Sequence, residues 1–278
     1  MSNSFLFIVP LSPPVSLTKS RLFLRKLCFN ALISQNYTNW KALLIGTPLN
    51  NETHHDNFIY LDFEGHKEEK LQMATQYYLD NNLEFNYIIR LDDDDVFNPF
   101  LLNTLAETSC DVYVDKYHSF LNMDNGKISQ LIKYWFPNTS IIKSSHAFAE
   151  VGNFPTGDYK RFKKRIRLIE NEHNDFHFYF KPSHKIINSN KMNPVYLRVL
   201  NSDSITSKAD NSFINYLNQF GIWKKNKLKS FLFLNDILIK KSELVSSNQN
   251  LKIKLKFIKE NFISLINYDT NVIKKTTI

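Results

Sequence analysis

The first hundred residues alternate between short apolar runs and amphipathic stretches. Phe5–Val9 is a continuous apolar run of strand length, and a Pro/Ser loop follows it, 10-PLSPPVSLTKS-20. Residues 21–34 carry Leu24, Leu27, Cys28, Ala31 and Leu32 at helical spacing. Two further apolar runs, 41-KALLIG-46 and 58-FIYLDF-63, predict strands, and 67–82 predicts a polar helix with Leu71, Ala74 and Tyr78 on one side. The run 86-NYIIRLD-92 predicts a strand that ends in four consecutive aspartates, Asp92 to Asp95. A helix over 98–107 with Pro99 in its first turn and a strand over 111–115 complete the readable part. Residues 116–210 give only a mixture of short helices, hairpins and loops, with one strand over 139–143. This strand–helix–strand rhythm predicts an α/β fold with a mostly parallel central sheet. In such sheets ligands gather at the carboxyl ends of strands, where the aspartate block lies.

The block itself has a bland reading: acid runs are usually solvated loops. Here it follows an apolar strand directly, Arg90 precedes it, and an ordered helix start, Asn98–Pro99, follows it. An EF-hand loop is excluded, because Val96 and Phe97 stand where later ligands and the glycine belong. What remains is a divalent cation, Mn²⁺ or Mg²⁺, held by carboxylates at a strand end. Such a site leaves coordination open for phosphate and suits a nucleotide diphosphate.

Charge changes the picture at one end only. The chain has 278 residues and a formal charge of +8. Residues 220–278 hold twelve of the 35 basic residues, all lysine, and four of the 27 acids, so residues 1–219 carry 23 of each and are neutral. A main domain without a positive field gives no support to nucleic-acid binding. The division that follows is a domain over 1–218 and a basic amphipathic helical extension over 219–278. In 251-LKIKLKFIKENFISLI-266, Leu251, Leu255, Ile258, Phe262 and Leu265 share one helical face. That extension either packs on the domain with solvated lysines or lies on an anionic membrane surface.

Cys28 and Cys110 sit in no metal-binding pattern and read as buried free thiols of a reducing, cytoplasmic compartment. The N-terminal run reads as a strand rather than a signal peptide, and no stretch approaches the roughly 20 apolar residues of a membrane span. His173, His177 and His184 fit no helical zinc pair, and no P-loop, Rossmann glycine fingerprint or Gly-x-Ser-x-Gly is present.

Three blocks then carry a resemblance. They are 33-ISQNYTNWKALLIG-46 with Gln35, Tyr37, Asn39 and Trp40, then 87-YIIRLDDDDVFNPFLL-102, then 196-YLRVLNSDSIT-206. Together they resemble the GT-A fold, family 2 type glycosyltransferases, and especially a rhamnosyltransferase-like branch with an RLDDDD signature. The resemblance implies a Rossmann-like GT-A domain and transfer of a sugar from a nucleotide-diphosphate donor, with inversion. The acceptor would be a glycan or lipid-linked glycan hydroxyl in cell-surface polysaccharide assembly, and the enzyme cytoplasmic or peripheral on the inner face of the membrane. It also implies roles. Asp92 faces the donor or its metal-bound diphosphate, and Asp94 ligates the metal. Asp93 and Arg90 join the donor site, and an Asp93/Asp95 register stays open. Asp175 is the preferred base, 81 residues after Asp94 and 21 before Tyr196, with Asp158 as its rival; an ordinary helix-start carboxylate is the alternative for both.

Two departures stand out. The segment 46-GTPLNN-51 lacks the acids that hold the nucleobase in many relatives. Leu200 and Asn201 stand where the family has a metal-binding histidine, so Asn201 becomes a candidate oxygen ligand and looser metal binding is expected. Lys67 and Lys70 begin the helix where relatives often place a base near the diphosphate. A solvated helix face is the preferred reading, with Lys70 kept as a donor-site candidate. His146 is a candidate for the acceptor cleft. A non-catalytic glycosyltransferase-like protein that binds glycan or scaffolds a partner is the second hypothesis. A nucleotidyltransferase ranks last, because the loop over 10–20 has prolines where a glycine-rich phosphate loop is required.

Overall fold

The computed structural model describes residues 2–50, 52–132, 138, 140–149, 166–168, 183–201 and 217–234. A seven-stranded sheet forms its centre. It uses β1 (Phe5–Pro10), β2 (Trp40–Ile45), β3 (Phe58–Leu61), β4 (Tyr87–Arg90), β6 (Val112–Val114), β9 (Ser140–Lys143) and β10 (Ile186–Asn188), in the order β10-β6-β9-β4-β1-β2-β3. Every neighbouring pair is parallel except the two that involve β9. The fold is therefore mixed α/β with a mostly parallel sheet, as the alternation predicts.

The sheet is covered on both faces, which is why its strands are apolar throughout. Phe5, Phe7 and Val9 of β1 pack with Cys28, Phe29 and Leu32 of α1 (Lys19–Ile33) and with Leu101, Leu102 and Leu105 of α3 (Leu101–Leu105). Leu6 and Ile8 face the other way, against Leu71 and Ala74 of α2 (Lys67–Asp80) and Ala147 of α4 (Ser144–Ala147). All five α1 residues that share helical spacing are buried. Fully burying each large apolar side chain contributes roughly 1.5–3 kcal/mol, so packing rather than propensity holds this helix.

A second, five-stranded sheet was not legible in the sequence. It runs β12-β8-β7-β11-β5, from Lys224–Lys225, Lys127–Ile132, Tyr117–Asn122, Tyr196–Leu200 and Val96–Phe97 respectively. Its core meets the far side of α1, where Leu24, Leu27 and Ala31 pack with Val96, Leu121, Leu197, Leu228 and Phe231. One difference from expectation follows. The helix expected over 98–107 is only the five residues of α3, because Val96 and Phe97 are drawn into β5 and the Asn98 side chain is bonded to Asn193 and the Pro194 carbonyl. Beyond residue 218, Leu228, Phe231, Phe233 and Leu234 belong to the second core. The amphipathic segment 251–266 lies outside the described residues.

The Gln-Tyr-Asn-Trp block has a structural job. The Gln35 amide donates to the Ala31 and Asn98 carbonyls, and Tyr37 and Asn39 both donate to the Asn3 carbonyl. These bonds fix the end of α1 to the start of β1. Both cysteines are buried free thiols. No helix among the described residues is long and apolar enough to cross a membrane.

Candidate functional site

The strand order reverses at β1: β2 lies on one side and β4 on the other. The chain leaves β1 and β4 at the same edge of the sheet, and the crevice between such strand ends is where open α/β sheets bind ligands. Here it is a cleft of about 520 Å³. Its lining comes from the loop after β1 (Leu11, Ser12, Ser16), from α1 (Arg21), from the start of α2 (His66, Lys67, Lys70), from all four aspartates, and from Arg198 and Leu200 of β11.

The four aspartates have separate fates. Asp93 is buried and its oxygens are engaged: Ser12 donates its backbone N–H and its hydroxyl, each at 2.8 Å, and the Arg25 Nε donates at 2.9 Å. Arg25 also bonds Glu52 at 2.9 Å and the Ser12 carbonyl. This fully buried guanidinium ties together the loops after β1, β2 and β4. Asp93, expected at the donor, lines the cleft and also braces these loops. Glu52, just after the segment 46–51, is taken up by the same arginine.

Asp92, Asp94 and Asp95 converge instead, each offering a carboxylate oxygen, with these atoms all within 4.8 Å of one another. Burial would raise Asp92, but Lys67, 2.6 Å away, and Arg90 outweigh it and hold the carboxyl at about 2. Asn138 donates to its other oxygen at 3.0 Å. Asp94 goes the other way: burial first, then Asp93 and Asp92, push it up to about 6 against the pull of Arg21, 3.5 Å away, and Arg198. Asp95 is raised further by burial and the same mutual repulsion, although the Val199 backbone N–H donates to it at 3.0 Å. Three carboxylates that repel one another in a shared cleft form an all-oxygen donor set. This set fits a hard divalent cation, which removes the repulsion that raises Asp94 and Asp95.

The other sequence-derived candidates are placed as follows. Lys70 is not solvated: it is buried, and its ammonium bonds the Leu11 carbonyl at 2.7 Å from within the cleft lining. Burial depresses its pKa despite Asp93 nearby. The close approach of that loop depends on Gly46 (φ +146°), where a Cβ would stand 2.9 Å from the Leu11 Cβ. Lys67 is likewise no idle surface charge, being paired with Asp92. Arg90 is buried behind the cleft, donating to the Leu168 carbonyl at 3.2 Å, and acts on Asp92 through its charge. Asn201 is buried next to Leu200 and is not among the described residues that line the cleft. Asp158, Asp175, His173 and His177 lie outside the described residues. His146 pairs with Asp111 at 3.0 Å, at the start of β6 and the end of β9. That edge of the sheet is opposite the cleft, so His146 does not line it.

Arg21, Arg25, Ser12 and Arg198 were missed as site residues. One signal was present: Arg21, Arg25 and Cys28 fall on one helical stripe. Like charges at i and i+4 cost stability unless both face anions.

No family model matches the chain, and no curated protein matches it. Among solved structures, it is similar to Staphylococcus aureus TarS 1-349 in complex with UDP-GlcNAc, at 13% identity and a TM-score of 0.44, over 95% of this chain and 81% of that one. It is also similar to the glycosyltransferase GlyE of Streptococcus pneumoniae TIGR4, at 11% identity and a TM-score of 0.39, over 93% and 64%. The inositol-1-phosphate CTP transferase of T. maritima is similar at 11% identity and a TM-score of 0.37, over 74% and 92%. At these values the likenesses assign no function, and none of them bears on a rhamnosyltransferase-like branch.

Proposed function

We propose that this protein is a metal-dependent glycosyltransferase of the GT-A kind, moving a sugar from a nucleotide-diphosphate donor to a hydroxyl of a glycan or lipid-linked glycan. One observation carries the reading. The converging Asp92, Asp94 and Asp95 share a cleft at the β1/β4 strand ends with Arg21, Lys67, Lys70 and Arg198. Carboxylates alone suit a cation, and bases alone suit an anion. Both together suit an anion that arrives with its cation, which is the form of a nucleotide diphosphate in water.

Asp92, Asp94 and Asp95 would hold Mn²⁺ or Mg²⁺, which when bound would neutralise charge on the leaving diphosphate. The chain's own residues do the rest. Arg21 and Arg198 stand where phosphate oxygens enter, and the Arg25–Asp93 brace sets the spacing of the loops. Lys70 holds the loop after β1 against α2, and Pro10 and Leu11 line the cleft on that side. In the inverting reaction a carboxylate takes the acceptor's proton as its oxygen attacks. Asp175 is the proposed base and Asp158 the alternative. A role in cell-surface polysaccharide assembly, a cytoplasmic location and a membrane-facing tail belong to the same proposal.

The test is Mn²⁺-dependent hydrolysis or transfer across a panel of nucleotide sugars. Asp94→Ala should lower the rate by about 10²–10³-fold or more, since it removes a charge that organises the leaving group. Full activity in that variant sinks the assignment.

A second reading, a non-catalytic glycan-binding or scaffold protein, is favoured by one observation: Leu200, not a histidine, lines the cleft. Thermal stabilisation by a nucleotide sugar with Mn²⁺ argues for the enzyme, and stabilisation by none of them argues for the second reading.

A further inference from the structure

We propose that Lys67 is a built-in counter-ion, which holds Asp92 until the divalent cation arrives and then passes to the diphosphate. The inference rests on the metal and diphosphate reading above. Both oxygens of Asp92 are engaged by the protein, one by the Lys67 ammonium at 2.6 Å and one by the Asn138 amide at 3.0 Å. Asp92 already offers an oxygen beside those of Asp94 and Asp95, so a cation drawn in among them competes with the Lys67 ammonium for the charge of Asp92.

Lys67 is the partner built to yield. Its side chain is 36% exposed, and it rises from the first residue of α2 on a flexible stem at the cleft wall. Arg21 contrasts with it: it is 13% exposed and also bonds the Ser12 hydroxyl at 3.0 Å. Arg25 is buried outright. A divalent cation and an ammonium repel one another at this range, and an exposed ion pair resists separation only weakly. Once displaced, the ammonium is still in the cleft, where an incoming diphosphate is the nearest new source of negative charge. Metal binding would thus prepare the phosphate site, and the two ligands would bind cooperatively.

The experiment measures binding by calorimetry on the full chain, with Mn²⁺ alone and with inorganic pyrophosphate in the presence and absence of Mn²⁺. Lys67→Met and Lys67→Gln are compared with wild type, with thermal melts to verify folding. Both variants should bind Mn²⁺ roughly two- to fivefold more tightly, because a competitor for Asp92 is gone. With Mn²⁺ saturating, pyrophosphate should bind about tenfold more weakly, a loss of about 1.4 kcal/mol. Without metal, pyrophosphate binding should not change. Equal weakening with and without Mn²⁺ shows only a through-space charge effect and overturns the hand-over. Unchanged Mn²⁺ and pyrophosphate affinities in both variants overturn it as well, while leaving the wider reading intact. A wild-type chain that takes up no Mn²⁺ overturns both.

Discussion

Asp115 and the block Asp92–Asp95 are both placed at strand ends, Asp115 fully buried and Asp92 and Asp94 only partly so, and their surroundings differ in kind. Asp115 follows β6 as a single carboxyl, and its partners are neutral: the Ser189 hydroxyl and the Val195 backbone N–H, which donates to both oxygens at 2.9 Å. It pins both ends of the loop between β10 and β11 and is not among the described residues that line the cleft. The block instead sets three carboxylates against one another and surrounds them with Arg21, Lys67 and Arg198. A buried acid fully served by neutral donors is architecture. Several acids that repel one another beside movable cations form a receptor. Within the block the same contrast recurs, with Asp93 on the architectural side.

The brace offers the largest way to break this contrast. Arg25→Met leaves Asp93 and Glu52 buried without their cation, so unfolding free energy should fall by about 3–5 kcal/mol in denaturant titration. A loss below about 1 kcal/mol, the level of an exposed pair, would return Asp93 to the ligand side of the comparison.

A smaller effect sharpens the architectural side. Burial holds Asp115 up to about 7, although its hydrogen bonds pull it down. An unfolded aspartate titrates at about 3.9. Between these values the folded chain keeps a proton that the unfolded chain has released, so the contribution of Asp115 to stability falls as pH rises from about 4 to about 7 and is level above. In thermal melts, wild type should lose ground to Asp115→Asn across that window, and a pH-independent difference would contradict the assignment.

The smallest effect concerns the opposite edge. His146→Ala should leave pyrophosphate and Mn²⁺ binding unchanged within about twofold and stability within about 1 kcal/mol, as for an exposed pair. A large loss of ligand affinity would connect the two edges of the sheet.

The elements around β1 were legible because each buries an apolar run or stripe whose period shows in the residues. The second sheet was not, because its strands carry polar residues inward: His118, Ser119, Asn122 and Ser129 are all buried. A period-2 pattern disappears when both faces contain polar groups. The His118 ring meets the Tyr196 hydroxyl at 3.0 Å, a pairing that no local spacing announces. The site was half legible for the same reason. Four aspartates at a strand end stand out, but Ser12 from the loop after β1 and Arg25 from α1 converge on Asp93, and Glu52 from the loop after β2 reaches Arg25. Lys70 reads as a solvated helix residue until the fold sets the Leu11 carbonyl beside it.

One consequence of the second sheet concerns length. The aspartates bridge β4 of the first sheet and β5 of the second, and Val96 and Phe97 face different cores while pairing with Leu197 and Tyr196. A single residue inserted between Asp92 and Asp95 would reverse those faces. The number of residues in this loop is therefore tied to both cores at once.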